Sequence, residues 1–442
     1  MFSANKNSYL QLQTSVNPTL VNKAVRRAMR KTQFDPHDET PTAQRMTSMQ
    51  PSLFGPCTDI TRATLGFERL GLRHINRDIN SEDNFIKLRA IHSLLDHVQI
   101  SENAMFLVSL NTTNKLIDLL PDQDPIVREK VCLILTILGN YYQARARIMA
   151  KPIVINHLMF LFMRDRKEIR YAAARCLKTL ARSEAETIIK NEKVVENLIK
   201  MIKHDHEGIV LIHLETLTHL AEWNPEKPLK ANAFKVMLKL ILYQEDRITE
   251  AAINCLVHLC KHVVGQKLAD KYDLTRFLIP YVDSDNVNII ISALGLMAYT
   301  TVTTRAKWRA KEFIYSLSRR LVYLCIVHDI PALQLRAMQV LINMCDSPDV
   351  RGFMKGNLVK YIEEGIKIRT PEQWDGSTEP RKYGLDVSHN YRTRYIDGTE
   401  TVKNDKGDYV DSVTVPNYLQ RVRDTKEHLL KTMDLKPYGS SG

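Results

Sequence analysis

Between Asp124 and Leu180 the chain states one hydrophobic phrase twice. A polar, turn-like start at Asp124 leads to Val127 and Arg128 and then to Val131, Leu135 and Leu138. The second copy runs from Glu168, Ile169 and Arg170 to Ala173, Leu177 and Leu180. Apolar residues three to four positions apart share one face of a helix. The phrase recurs at Ile86 (Ala90, Leu94), Ile209 (Leu217, Leu220) and Ile248 (Ala252, Leu256, Leu259), and more faintly at Val287 and Leu333 (Ala337, Leu341, Met344). Subtracting successive anchors at 86, 127, 169, 209, 248, 287 and 333 gives spacings of 41, 42, 40, 39, 39 and 46. A unit of that size cannot bury its apolar face alone, so each must stack on the next.

The period belongs to the armadillo/HEAT class. Each phrase follows a Leu/Ile-rich segment (115–120, 196–202, 236–241) and precedes a shorter stretch such as 142–149, so three helices fit each unit, as in armadillo repeats. The expected architecture is all-α: a right-handed superhelical armadillo-like solenoid of about seven repeats over 60–368. An irregular N-terminal arm (1–59) and a C-terminal extension (369–442) flank it.

The arm is punctuated by Pro18, Pro36, Pro41, Pro51 and Pro56. Within it, residues 18–31 have helical spacing, with Val21, Ala24, Val25 and Ala28 opposite a crowd of Lys and Arg, a small apolar face that suits a basic docking helix and a disordered arm equally. The amphipathic stretch 60–79 sits where a terminal repeat needs a cover. The long 287-to-333 spacing points to an insertion near 301–311, where Arg305, Lys307, Arg309 and Lys311 surround Trp308. After Ile368 the pattern stops. Asp397-Gly398 and Lys406-Gly407 are turn signals compatible with a hairpin, and 417–433 has the character of one last helix. The extension is expected to be separable from the repeats and to wrap a partner or the solenoid.

At 442 residues the chain exceeds one compact core, but a solenoid grows by addition. No apolar run of secretory or membrane-spanning type is present in the sequence, which leads to the expectation of a soluble intracellular protein. Seven cysteines show no metal-ligand pairing and fall largely within repeat helices, as small core residues do. The net charge of +12 suits nucleic acid, acidic lipid or an acidic protein polymer equally, and solvated helix faces account for most of it.

Catalytic and cofactor chemistry has no foothold. There is no glycine-rich phosphate loop. His258 and His262, one helical turn apart, have ligand spacing but no carboxylate support. Hence no cofactor, metal or small-molecule substrate is expected, and no enzymatic activity. The informative surface is the concave one. Armadillo import adaptors line it with Trp-x-x-x-Asn pairs, and the matching pairs here are Leu133/Ile137, Arg175/Thr179, Glu215/His219, Asn254/His258 and Gln339/Asn343. No Trp occurs among them, and Asn stands second only once.

The order of several pieces is more specific. Ala63 through Asp78 (ATLGFERLGLRHINRD), Lys87 through Asp96 (KLRAIHSLLD), Leu116 through Asp124 (LIDLLPDQD), Val127 through Val131, Leu135, and Ala144 with Arg145 follow one another. In this the region from Ile60 to Met344 resembles the armadillo-repeat radial spoke proteins of motile cilia, the radial spoke head 14 homologue family. The resemblance implies a non-enzymatic structural part of the ciliary or flagellar axoneme, set in the cytoskeleton of the cytoplasm. Its partners would be other radial spoke or axonemal proteins, with no nucleic acid and no membrane. Both extensions depart from that family. The candidate contact residues are Arg175, Glu215, His219, Asn254, His258 and Trp308. The competing expectation is a soluble adaptor that binds extended peptides in the concave groove.

Overall fold

A computed structural model of the chain describes residues 68–242, 245–369, 392–396, 399–403, 409–411 and 415–435, together with 24, 25 and 27. The last three are helical; the rest of the expected 18–31 helix, residues 60–67 of the expected cap and both Gly-containing turn signals lie outside the described residues. Two compact units divide the chain, Met1–Thr64 and Leu65–Gly442. The second carries the repeats.

It opens with α1 (Glu68–Asp78) and α2 (Asn84–His97). Triplets follow: α3 (Ser101–Ser109), α4 (Thr112–Asp118) and α5 (Pro125–Leu138); then α6 (Tyr142–Met149), α7 (Ile153–Arg164) and α8 (Lys167–Lys190). Next come α9 (Glu192–His204) and α10 (Glu207–Trp223), then α11 (Glu226–Lys230), α12 (Ala233–Ile241) and α13 (Asp246–Cys260). Two more triplets are α14 (Val263–Lys271), α15 (Leu274–Val282) and α16 (Val287–Thr300), and α17 (Thr304–Ala310), α18 (Ile314–Val327) and α19 (Pro331–Met344). The unit after α8 lacks a separate first helix because α8 supplies it. Non-helical angles at Glu184 (φ −119°, ψ 31°) mark the joint between the two parts of α8.

Each anchor of the sequence phrase lies in the first turn of one of the long third helices. Their starts are locally encoded. The Asp83, Asp124 and Asn286 side chains accept from the backbone N–H two residues on, which caps α2, α5 and α16, and Pro125 occupies the first turn of α5 where no N–H is needed. Third helices α2, α5, α8, α10, α13, α16 and α19 pack in that order, each on the next. One continuous apolar core follows them from Leu72 to Met433. Ala172, Ala173 and Ala174 keep α8 slim where its neighbours press on it.

Charged side chains bind neighbouring units together at repeating positions. Near the start of the third helices, Lys87 meets Asp122 at 2.8 Å, Arg128 grips Asp165 at 2.7 and 3.0 Å, and Arg170 meets Asp205 at 2.9 Å. In the next unit Val210 takes the cation's place. There Glu245 lies against Glu207 instead, and burial, that negative neighbour and their hydrogen bond push its carboxyl up. A second row caps helix C-termini: Lys115 donates to the Asn76 carbonyl, Arg147 to Val108, Lys227 to Ile189 and Arg309 to Asp270.

The insertion sits elsewhere than the sequence suggested. α14 and α17 both begin seventeen residues after the start of the preceding third helix, at 263 after 246 and at 304 after 287. The extra residues lie in α18 and its exit: α19 starts seventeen residues after α18 (331 after 314), against thirteen for α16 after α15 (287 after 274). Residues 301–311 are therefore an ordinary first helix.

After α19 come α20 (Pro348–Asn357) and a π-helical turn, Tyr361–Gly365. A small antiparallel sheet follows, β1 (Arg392–Ile396), β2 (Thr399–Lys403) and β3 (Tyr409–Asp411), in the order β1-β2-β3. Then comes α21 (Val415–Met433), which packs on α19 and α20 where a further third helix would stack. Leu419, Val422, Leu429 and Met433 are buried, and Lys426 donates to the carbonyls of Glu363 (2.8 Å) and Ile366 (3.0 Å). The last helix of the extension covers the end of the apolar core. Among the described residues no single helix is long and apolar enough to cross a membrane.

Two outcomes follow for stability. Leu429→Ala should cost about 2–4 kcal/mol and raise hydrogen exchange in 331–344 more than in 125–138; equal protection in both would mean that α21 does not hold α19. Gly265 has the C-terminus of α13 against it, so that a Cβ there would lie 2.0 Å from the Leu259 carbonyl oxygen. Gly265→Ala should therefore destabilise by about 2 kcal/mol or more in denaturant melts.

Candidate protein-binding surface

The inner surface of the stack is built from the third helices, and the ninth and thirteenth residues of each face outward from the core. On α5 these are Leu133 and Ile137, half-buried and apolar. On α8 they are Arg175, exposed, and Thr179, whose hydroxyl donates to the Arg175 carbonyl at 3.1 Å. On α10 Glu215 is exposed and His219 half-buried, and on α13 both Asn254 and His258 are half-buried. Five of the six candidate residues thus occupy equivalent positions on three consecutive helices.

Much of their polarity is spent within the solenoid. Lys178 of α8 forms an ion pair with Glu215 of α10. The His219 imidazole is brought down to about 4, first by burial and then by the Arg182 and Lys178 cations, so it is neutral at pH 7. Arg175 makes no side-chain hydrogen bond among the described residues, and on this face it is a free cation. Asn343, the one Asn at the second position of a pair, donates to the Ala298 carbonyl at 2.7 Å and to the Thr301 hydroxyl at 3.1 Å. It ties α19 to α16 and offers no free amide to a peptide.

The sequence alignment passed over the pair on α16, because that phrase is faint. The pair is Gly295 and Tyr299. Above Gly295 lies Arg336 of α19, whose Nε would sit 3.6 Å from a Cβ there, and the Lys261 ammonium stands 5.9 Å over the Tyr299 ring. Counting nine residues from each helix start, rather than from the apolar anchors, would have found both.

Trp308 stands apart from the other candidates, on α17, and is 71% exposed. Three of the four cations around it are engaged, Arg305 being exposed: Lys307 pairs with Asp346, Arg309 caps the Asp270 carbonyl and Lys311 lies 3.6 Å from Asp349. Their positions serve unit-to-unit contacts rather than a phosphate or acidic ligand. The His258/His262 pair also divides: His262 caps α14 by accepting from the Val264 N–H, and its other nitrogen lies 3.4 Å from Glu226. Six cysteines are buried free thiols. Burial pushes Cys176, Cys255, Cys325 and Cys345 up to about 12, which suppresses thiolate chemistry.

The geometry is that of an armadillo-repeat solenoid. No family model matches the chain. Protein unc-45 homolog B of Danio rerio is 27% identical over 186 residues, or 39% of this chain. The match spans only 19% of that protein's length. The crystal structure of an engineered protein aligns over 83% of this chain and 89% of its own, with a TM-score of 0.54 and 14% identity. A designed armadillo repeat protein aligns over 52% of this chain and 99% of its own, at 14% identity and a TM-score of 0.48.

One buried site makes the fold pH-sensitive. His213 of α10 is fully buried with its ring edge-on to Phe162 at 5.1 Å, and neither ring nitrogen has a hydrogen-bond partner among the described residues. Burial brings it down to about 4, with Asp205 raising and Arg170 lowering it. The unfolded chain binds protons on His213 and His219 at a pKa of about 6.5 and the folded chain at about 4. Stability is therefore full above pH 6.5 and falls as pH drops toward 4, by about 1.4 kcal/mol per unit for each imidazole. His213→Leu should remove half of that slope in urea melts at pH 4.5 to 7; an unchanged slope would clear His213 of the effect.

Proposed function

We propose that this chain is a non-enzymatic structural scaffold of the ciliary or flagellar axoneme, a radial spoke component that holds neighbouring spoke subunits through its solenoid surface and extensions. The observation that carries the scaffold part is the use of inner-face polar groups for unit-to-unit bonds: Lys178 to Glu215, Asn343 to the Ala298 carbonyl. A groove stitched in this way resists bending and offers few amides to clamp a peptide backbone. The axonemal part rests on the resemblance of 63–78, 87–96 and 116–131 to the radial spoke family. No cofactor, substrate or nucleic acid enters this reading. The partners are axonemal proteins, and the place is the cytoskeleton of the cilium or flagellum.

A second reading keeps one observation of its own. The free cation of Arg175 would suit a peptide with an acidic residue, carried by a soluble adaptor.

The two readings separate in cells. A tagged copy in ciliated or flagellated cells should remain with axonemes after detergent and high-salt extraction. Release of the protein into the soluble fraction would remove the spoke assignment and turn attention to Arg175→Glu in peptide-binding assays.

A further inference from the structure

Many cations of the stack are spent on unit-to-unit ties, but five lysines of two neighbouring second helices are not. On α9 the residues Lys193, Glu196, Lys200 and Lys203 fall three to four positions apart, so they form one stripe, and all four are exposed. On α12, which packs beside α9, Lys235 and Lys239 are exposed one helical turn apart. None of the five lysines has a carboxylate, carbonyl or ring partner among the described residues. The two rows are in register. Lys200 and Lys239 each stand seven residues before the following third helix, α10 at 207 and α13 at 246. The same place holds Phe160 one unit earlier and Pro280 one unit later, so the positive surface ends on both sides. One unit on from Lys235, Arg276 is answered by Glu312 at 3.6 Å. Within α9 and α12 the five ammonium groups stand against two exposed carboxylates, Glu192 and Glu196.

We propose that this surface of α9 and α12 binds an extended, glutamate-rich segment of a partner protein. Neighbouring helices stand about 8–10 Å apart. Side chains on one side of an extended chain recur about every 6.8 Å, so acidic residues along such a segment pass over Lys200 and Lys239 in turn. A lysine ammonium is a point charge on a flexible stem and takes a carboxylate from many directions. Bidentate phosphate recognition uses the arginine fork instead, and neither α9 nor α12 holds an arginine. Lys200, Lys203 and Lys239 lie beyond the first turn of their helices, where main-chain N–H groups are already bonded and none is left for a phosphate. Neither helix exposes an aromatic ring on which a nucleic-acid base could stack. The complementary ligand is therefore a run of carboxylates. This inference names the chemistry of one partner. It rests on the protein-binding reading of the solenoid and uses none of the concave residues.

A synthetic probe tests it. A fluorescent peptide of about eight glutamates, long enough at about 3.4 Å per residue to cross both helices, should bind the full chain at low ionic strength and dissociate as salt screens the charges. Lys200→Glu combined with Lys239→Glu should weaken binding about tenfold or more and leave the melting transition unchanged, since both side chains are exposed. Glu196→Lys adds a cation to the stripe and should tighten binding several-fold. Lys267→Glu combined with Lys271→Glu changes the net charge equally, on α14, and should leave binding within about twofold. Equal weakening by that control would reduce the binding to net charge and overturn the proposal, as would failure of the peptide to bind. So would tighter binding of a single-stranded oligonucleotide, or of phosphatidylserine vesicles, that is lost in the Lys200→Glu, Lys239→Glu variant, since the surface would then belong to nucleic acid or to membrane. Extraction from axonemes is a separate readout. Retention of the wild-type protein with no peptide binding leaves the scaffold standing without this surface, whereas peptide binding with release of the wild-type protein keeps the surface and removes the axonemal place.

Discussion

Everything in the repeat unit depends on the stacking of each third helix against the next. No single triplet encloses its own apolar face, and the core exists only as a continuous strip from Leu72 to Met433. Stability is therefore a nearest-neighbour property, and both ends of the strip need covers. α1 supplies one with Leu72, Ile75 and Ile79, and α21 supplies the other. Small residues such as Ala172 and Ala173 set how closely the helices approach, and so how far each unit turns from the last.

Charge is arranged on the same plan. Cations of one unit reach carboxylates or helix-end carbonyls of a neighbour, and most such pairs are separated by 33 to 40 residues, about one unit or slightly less. Individually such partly exposed bonds contribute little. Repeated along the stack, they fix the register of each unit against its neighbours. The run at Trp308 shows this: Lys307, Arg309 and Lys311 look like a binding patch in sequence and act as ties in three dimensions. At Val210 the tie is missing, and two carboxyl groups, Glu207 and Glu245, meet instead.

The third helices were legible because their signal is local: a cap, then apolar residues at helical spacing. The register of the inner face was also legible, which is why Arg175, Glu215, His219, Asn254 and His258 fall on equivalent positions. What escaped depended on distance in space. The faint phrase at Val287 hid Gly295 and Tyr299, because α16 is apolar almost all round and carries little periodicity. The extra residues of α18 were assigned to the wrong helix because a basic run draws the eye more than an added apolar turn. The last helix was legible from its own spacing, but not which helix it covers, since α19 lies about seventy residues upstream with a sheet between them. Period reasoning looks for the next unit next in the chain.

That interruption has a consequence for how the molecule is made. A ribosome finishes α19 well before it reaches Val415, and through the intervening stretch the growing chain carries an open, oily helix face. Only the arrival of the last helix shuts it. A message cut short anywhere between those points yields a product whose repeats are all present but whose final surface is bare, the kind of surface that chaperones hold and proteases remove. The order of segments thus leaves the face of α19 uncovered by its last neighbour until α21 has been made.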